Sequence, residues 1–140
     1  MAISEFKGRY FFLSNFYQPS FMPSGEHLFQ AAKATTTRDY IHILSAPTPG
    51  QAKDRGRNVK LRSDWEDIKD DVMADVIAIK FHEPNLRKFL LSTGTKELIE
   101  GNTWGDKYWG VDIRTGEGQN MLGQILMRHR RDLRRLAPGR

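Results

Sequence analysis

Apolar residues recur along this chain in blocks whose period changes from one block to the next. Tyr10-Phe11-Phe12-Leu13-Ser14-Asn15-Phe16-Tyr17 is aromatic at odd and even positions and short, a pattern that predicts a buried strand or extended segment. Pro19, Pro23 and Gly25 then punctuate a turn-rich stretch. From Glu26 to about Ala34 the residues favour helix, with Ser24 or Gly25 as its start. Projected at about 100° per residue, Leu28, Phe29 and Ala32 fall on a predicted core face, while Glu26, Gln30 and Lys33 share the opposite wall. Thr48 as cap and Pro49 as first helical residue predict a helix ending near Gly56. The clearest helix is predicted from Asp64 to about His82, opened by the capping-box spacing of Ser63 and Glu66. It carries Trp65, Ile68, Val72, Val76 and Ile79 at steps of three and four.

Pro84 breaks that helix, and Asn85 to Ser92 predicts another that buries Leu86, Phe89 and Leu90 and stops at Gly94. Glu97 to Glu100 and Tyr108 to Asp112 read as short strands around the loop Gly101 to Lys107. Gln119 to Arg135 reads as the last helix, with Met121, Leu122, Ile125, Leu126 and Leu133 inward. No repeat or linker divides the pattern, so residues 1–140 are expected to form a single compact domain of mainly helical α+β class with a few short strands.

Composition narrows the chemistry. The chain has no cysteine, which removes disulfides, thiolate metal sites and cysteine nucleophiles and agrees with a cytoplasmic setting. Its N-terminal residues show no basic segment followed by an apolar run, and no stretch approaches the ~20 apolar residues of a membrane span. His27, His42, His82 and His129 lie far apart without ligand spacing, so no metal site is expected, and no bound cofactor. The net charge is +5, and residues 128–140 account for all of it with six arginines (Arg128, Arg130, Arg131, Arg134, Arg135, Arg140) against Asp132. That basic end of the last helix is read as a solvated helix end, with polyanion binding as the other reading.

Phosphate-cradling glycine loops, dinucleotide fingerprints, nucleophile elbows and helical histidine pairs are all absent from the sequence. Carboxylates, amides, lysine and aromatics remain. They suit cleavage of an N-glycosidic bond, where a carboxylate opposes the oxocarbenium character of the ribose or deprotonates water. Glu26 is the candidate, or else a first-turn residue serving the helix dipole. Lys33 is a surface lysine, a phosphate ligand, or an amine able to attack an opened sugar. Trp65 packs in the core or presents its face to a heterocycle. The loop Gly101-Asn102-Thr103-Trp104-Gly105-Asp106, with Tyr108-Trp109-Gly110 after it, has a composition more typical of binding than of turning. Lys53, Arg55, Arg57, Lys60 and Arg62 face only Asp54, and form either a phosphate site or a solvated face.

These segments resemble the YbiA-like/NADAR family. The matching blocks are Phe12-Leu13-Ser14-Asn15-Phe16-Tyr17, Glu26-His27-Leu28-Phe29-Gln30-Ala31-Ala32-Lys33, and Pro49-Gly50-Gln51-Ala52-Lys53 with Gly56-Arg57. They continue through Leu61-Arg62-Ser63-Asp64-Trp65, Gly101 to Asp106, Tyr108-Trp109-Gly110-Val111 and Gly118-Gln119-Asn120-Met121-Leu122-Gly123. The resemblance implies an N-glycosidase. Its substrate would be a phosphorylated ribosyl or ADP-ribosyl compound: a phosphoribosylamino-pyrimidine of riboflavin synthesis, or ADP-ribosylated guanine in modified DNA or RNA. It also implies functional roles for Glu26, Lys33 and Asp106, with Asp112 second to Asp106. Asn15, Trp65, Asn102, Trp109 and Asn120 match positions expected to meet substrate, as does Arg57 in its basic segment. The alternative is an inactive module that binds ADP-ribose, a nucleotide or nucleic acid. Only Tyr17 to Gly25 separates Asn15-Phe16 from Glu26, shorter than in many members, which bears on specificity.

Overall fold

The structure, a computed structural model, describes residues 1–136. The described chain is mainly helical, with six α-helices, one 3-10 helix and a parallel sheet of two short strands. Two compact units can be distinguished, Asn15–Val76 on the one hand and Met1–Ser14 with the residues from Ile77 onward on the other.

In the unit Asn15–Val76, helix α1 (Gly25–Ala31) starts where the sequence places it. Ser24 is the cap, its Oγ accepting from the His27 backbone N–H at 3.1 Å. The imidazole then ties this start to a distant turn: Nε2 lies 2.8 Å from the Ala46 carbonyl and Nδ1 lies 2.7 Å from Ser24 Oγ. A carbonyl only accepts, so the proton sits on Nε2, and Nδ1 accepts the hydrogen bond of the serine hydroxyl. Helix α2 (Thr37–Leu44), absent from the sequence reading, is capped by Thr36, which accepts from Asp39 N–H at 3.1 Å. Helix α3 (Pro49–Arg57) has Thr48 as cap and Pro49 in its first turn, as expected. Ala31, Ile43 and Ala52 from these helices, with Ala46 of the turn after α2, form a core edged by Leu44 and Val59 in which three of the four members are alanines. Small side chains let the helices approach closely.

The burial of α1 differs from its projection. Phe29 is buried, but Leu28 and Ala32 are only half-buried, and Glu26, His27, Gln30 and Ala31 are buried instead. A short helix packed on several sides has no solvent face, so its polar wall is enclosed as well.

Helix α4 (Trp65–Lys80) runs through Val76 in this unit and contributes Ile77 to Lys80 to the other. Its register differs from the periodicity at one end, because Ile79 is exposed while Lys80 is fully buried. The Lys80 ammonium donates to the Ser14 carbonyl at 2.8 Å, and burial lowers its pKa to about 7.

In the second unit, the strand or extended segment expected from Tyr10 begins instead as a 3-10 helix, Gly8–Leu13. Gly8 has φ +58°, and three-residue turns close from Tyr10 N–H to Lys7 and from Ser14 N–H to Phe11. In such a turn adjacent aromatics splay, so Leu13 is buried while Phe11 is exposed. Helix α5 (Pro84–Ser92) is capped by Glu83 and buries Leu86 and Leu90, with Phe89 exposed. Phe12 packs against Phe89 and Phe81 with ring centroids 5.6 and 6.4 Å away.

Strand pairing is shifted from the expected segments. Leu98 makes only an isolated bridge to Ile3, and strands β1 (Gly101–Asn102) and β2 (Val111–Asp112) pair in parallel. A Cβ at Gly110 would overlap the Glu100 carbonyl, so this crossing of the chain requires glycine.

Helix α6 (Met121–Leu136) buries Leu122, Ile125 and Leu126. The arginines near its end are not uniformly solvated, because Arg130 is only 5% exposed and donates to Thr93 Oγ1 and the Lys96 carbonyl, each at 2.8 Å. Arg134 donates to the Gly94 carbonyl at 2.6 Å, so both satisfy acceptors just beyond α5. Arg140 lies outside the described residues.

Candidate active site

Helix α1 and the residues just after it carry an acid, an amide and an amine. Glu26 is only 8% exposed despite its charge, and Gln30 Nε2 donates to its Oε2 at 2.6 Å. The i, i+4 spacing that placed them on one wall gives this bond directly. The Glu26 backbone N–H donates to the Asn15 carbonyl at 2.9 Å, and Asn15 Nδ2 reaches the Met73 sulfur at 3.2 Å. Asn15 is therefore buried beside the start of the helix that carries Glu26.

Lys33 follows past the end of α1. Its amine lies 5.7 Å from the Trp65 ring centroid and 5.9 Å from that of Phe29, while the two rings meet edge-on at 5.1 Å. Its pKa falls below the usual lysine value. Desolvation is the main cause, and Arg57 and Lys53 add to it, whereas the negative charges of Glu26 and Glu66 act the other way. Trp65 is buried, with Phe29 packed on it, and the amine lies within cation–π range of both rings.

Arg57 is exposed and paired with Asp54 at 2.8 Å, so its influence on Lys33 is electrostatic. In the sequence Arg62 stands out only as one charge of a basic run, yet the fold gives it a structural task. Its guanidinium grips Asp64 at 2.7 and 3.2 Å, and its backbone N–H donates to the Lys33 carbonyl at 3.0 Å. It thereby fixes the end of α1 from which the Lys33 side chain departs.

In the other unit, Asn102 organises the late loop. Its Nδ2 donates to Glu100 Oε2 and to the Asp106 carbonyl, both at 2.9 Å, and its Oδ1 accepts from Asp106 N–H at 3.0 Å. Asp106 in turn accepts from the Tyr108 and Trp109 backbone amides at 3.1 and 2.9 Å, all through Oδ1. Trp109 stands edge-on to Tyr108, half-buried, while Trp104 is 62% exposed. Asp112 accepts from the Arg114 backbone at 2.9 Å, and this bond, aided by the Arg114 guanidinium, holds its carboxyl below the usual range. Asn120 adopts φ +54° and spends both ends of its amide on backbone, Nδ2 to the Leu98 carbonyl and Oδ1 from Glu100 N–H, each at 2.9 Å.

The structure thus brings Asn15, Glu26, Lys33 and Trp65 together in one unit with Gln30. It places Asn102, Asp106 and Trp109 in one loop of the other, with Asn120 tied to Leu98 and Glu100 just before that loop. Glu100, a further carboxylate bonded to Asn102, carried no sequence signal beyond its place before that loop. Among the described residues no group of three or more histidine, cysteine or carboxylate side chains could hold a metal ion. No helix among them is long and apolar enough to cross a membrane.

Comparison with known proteins adds to this geometry. The family model described as the NADAR domain matches residues 4–134. The N-glycosidase YbiA of Escherichia coli K12 is 39% identical over 114 residues, covering 79% of this chain and 70% of that protein. A riboflavin biosynthesis protein of Vibrio vulnificus is 38% identical over 136 residues, covering 91% of this chain and 36% of its own length. The solution structure of Escherichia coli YbiA superposes with a TM-score of 0.84 at 30% identity, over 100% of this chain and 89% of that one.

Proposed function

The chain belongs to the NADAR domain family and is an N-glycosidase, and on that premise we propose that Glu26 is the carboxylate that acts at the anomeric carbon of its ribosyl substrate. The observation that carries this reading is the buried Glu26–Gln30 pair, with the amine of Lys33, just past the end of α1, close enough for the Glu26 charge to act on it. An enclosed carboxylate is strongly felt by a developing positive charge, because little water is left to screen it.

In the proposed reaction the C1–N bond breaks with its electron pair going to the nitrogen of the base, which takes up a proton from the Lys33 ammonium or from water, while the attacking water adds to C1 and gives its proton to Glu26. Lys33 acts from the other end of the wall. As an ammonium it holds a phosphate or donates toward the departing nitrogen; its lowered pKa also provides a neutral amine fraction able to add to an opened sugar aldehyde. Trp65 is proposed to meet the heterocycle or ribose, and Arg57 to add positive charge toward phosphate. The family pattern adds Asn15, Asn102, Asp106, Trp109 and Asn120 as residues that meet substrate. Since Asp106 Oδ1 already takes two backbone amides, Oδ2 is the oxygen we assign to substrate.

The substrate class we infer is a phosphorylated ribose or ADP-ribose joined to a nitrogen heterocycle. Relatives named as an N-glycosidase and a riboflavin biosynthesis protein support the phosphoribosylamino-pyrimidine, and the family resemblance supports ADP-ribosylated guanine, free or in DNA or RNA. The cytoplasm is the setting we propose. Parallel incubation with a phosphoribosylamino-pyrimidine and an ADP-ribosylated guanosine oligonucleotide, with products identified by mass, tests the reading. Release of free base or free ADP-ribose supports it, and Glu26→Gln should abolish that release by about 100-fold or more while leaving the fold intact. Saturable binding without product would make the protein a binding module instead.

A further inference from the structure

Gln30 is 4% exposed, and its amide is bonded through nitrogen alone: Nε2 donates to Glu26 Oε2 at 2.6 Å, whereas buried Oε1 has no hydrogen-bond partner. What Oε1 meets is Gly56 of α3, where a Cβ would overlap it. On glycine that direction carries a Cα–H, a weak but attractive neighbour for a carbonyl oxygen. A glutamine beside a carboxylate can present either end of its amide. The NH2 end attracts the ionised form and the oxygen end repels it. With Gly56 accommodating Oε1, only the NH2 end is left to face Glu26.

We propose that Gln30 is a positioning residue for the Glu26 carboxylate, aiming an N–H at its Oε2 and fixing its orientation, with Gly56 as the residue that makes room for this arrangement. The inference rests on the reading of Glu26 as the reactive carboxylate. A hydrogen bond to the charged form favours that form, so the N–H of Gln30 offsets part of the cost of holding the Glu26 charge out of water as an oxocarbenium charge develops beside it. Charged groups around the wall are Lys33 of the same segment, Lys53 and Arg57 of α3, and Glu66 of α4. They remain in place when Gln30 alone is changed.

The test compares wild type with Gln30→Met, which keeps length and apolar volume but has no donor, and with Gln30→Glu, which keeps shape and adds a like charge. Two quantities are read: the titration of the Glu26 side-chain carboxyl carbon by NMR, and the separate values of kcat and KM. Gln30→Met should move the Glu26 midpoint upward and lower kcat about tenfold with KM changed by no more than about twofold. Gln30→Glu should move the midpoint further in the same direction, and it decides the matter by the same readouts if the methionine variant does not fold. An unmoved midpoint or an unmoved kcat overturns the proposal. Failure of the underlying reading looks different. Retained turnover in Glu26→Gln removes Glu26 from the reaction, whereas an inactive Glu26→Gln beside a wild-type-like Gln30→Met removes only the role of Gln30.

Discussion

The Lys33 amine lies 5.7 Å from the centroid of the Trp65 ring, close enough for the aromatic face to stabilise an ammonium that has lost much of its water. Desolvation still prevails, because the pKa is lowered overall. Between that lowered value and 10.5 the unfolded chain binds more protons than the folded one, so Lys33 makes stability rise with pH through that window. At neutral pH its charge therefore weighs against folding.

Lys33→Met should accordingly melt at or above the wild-type temperature at pH 7 while losing about 100-fold or more in turnover. Calorimetry and product assays on the same preparation check this. A clear fall in melting temperature would make the amine a structural group.

Lys80 offers a sharper case of linkage. Its folded pKa of about 7 against 10.5 for the unfolded chain means that stability is lost as pH falls from 10.5 toward 7 and changes little below that. Relative to Lys80→Met, the wild-type protein should gain on the order of 1.4 kcal/mol per pH unit between pH 7 and 9. Urea unfolding of both proteins at pH 7, 8 and 9 measures the difference. Parallel stability curves would mean that Lys80 does not titrate in that range.

Why Lys80 was illegible in the sequence, while Glu26 and Lys33 were not, is a matter of range. Glu26, Gln30 and Lys33 lie on one short segment, and helical geometry alone puts them on one wall. Thr48-Pro49 likewise announces α3 by purely local chemistry. Lys80 owes its burial to the Ser14 carbonyl, a partner far away in sequence, and nothing in Ile79-Lys80-Phe81 distinguishes it from a surface lysine. Helix α2 was missed because it is short and Thr35-Thr36-Thr37 before its apolar residues reads as loop, although Thr36 with Asp39 is a cap signal that could have been used. The inward wall of α1 was misjudged for a related reason: projection orders faces but cannot say how many of them are covered. Asn102 and Asp106 were legible as an unusual loop, yet their bonding to backbone amides emerges only once the loop is folded.

The same distinction divides the C-terminal arginines. Arg130 is enclosed and bonded to Thr93 and Lys96, so Arg130→Gln should cost on the order of 2 kcal/mol in unfolding free energy, since charged donors to buried acceptors are among the stronger hydrogen bonds. Arg128, Arg131 and Arg135 carry the tail's charge without that structural duty, with Arg131 and Arg135 exposed on α6. Their joint replacement by glutamine should leave unfolding nearly unchanged, because exposed charges contribute little. If the substrate is carried on a nucleic acid, the triple variant should flatten the salt dependence of oligonucleotide binding by about 2 units of slope, each lost phosphate contact releasing fewer counterions. Cleavage of a small nucleotide substrate should be unaffected. Binding isotherms at several salt concentrations, together with urea melts of both variants, separate the two roles. An unchanged slope would return these three arginines to the role of a solvated helix end, leaving a nucleic-acid substrate without electrostatic support from α6.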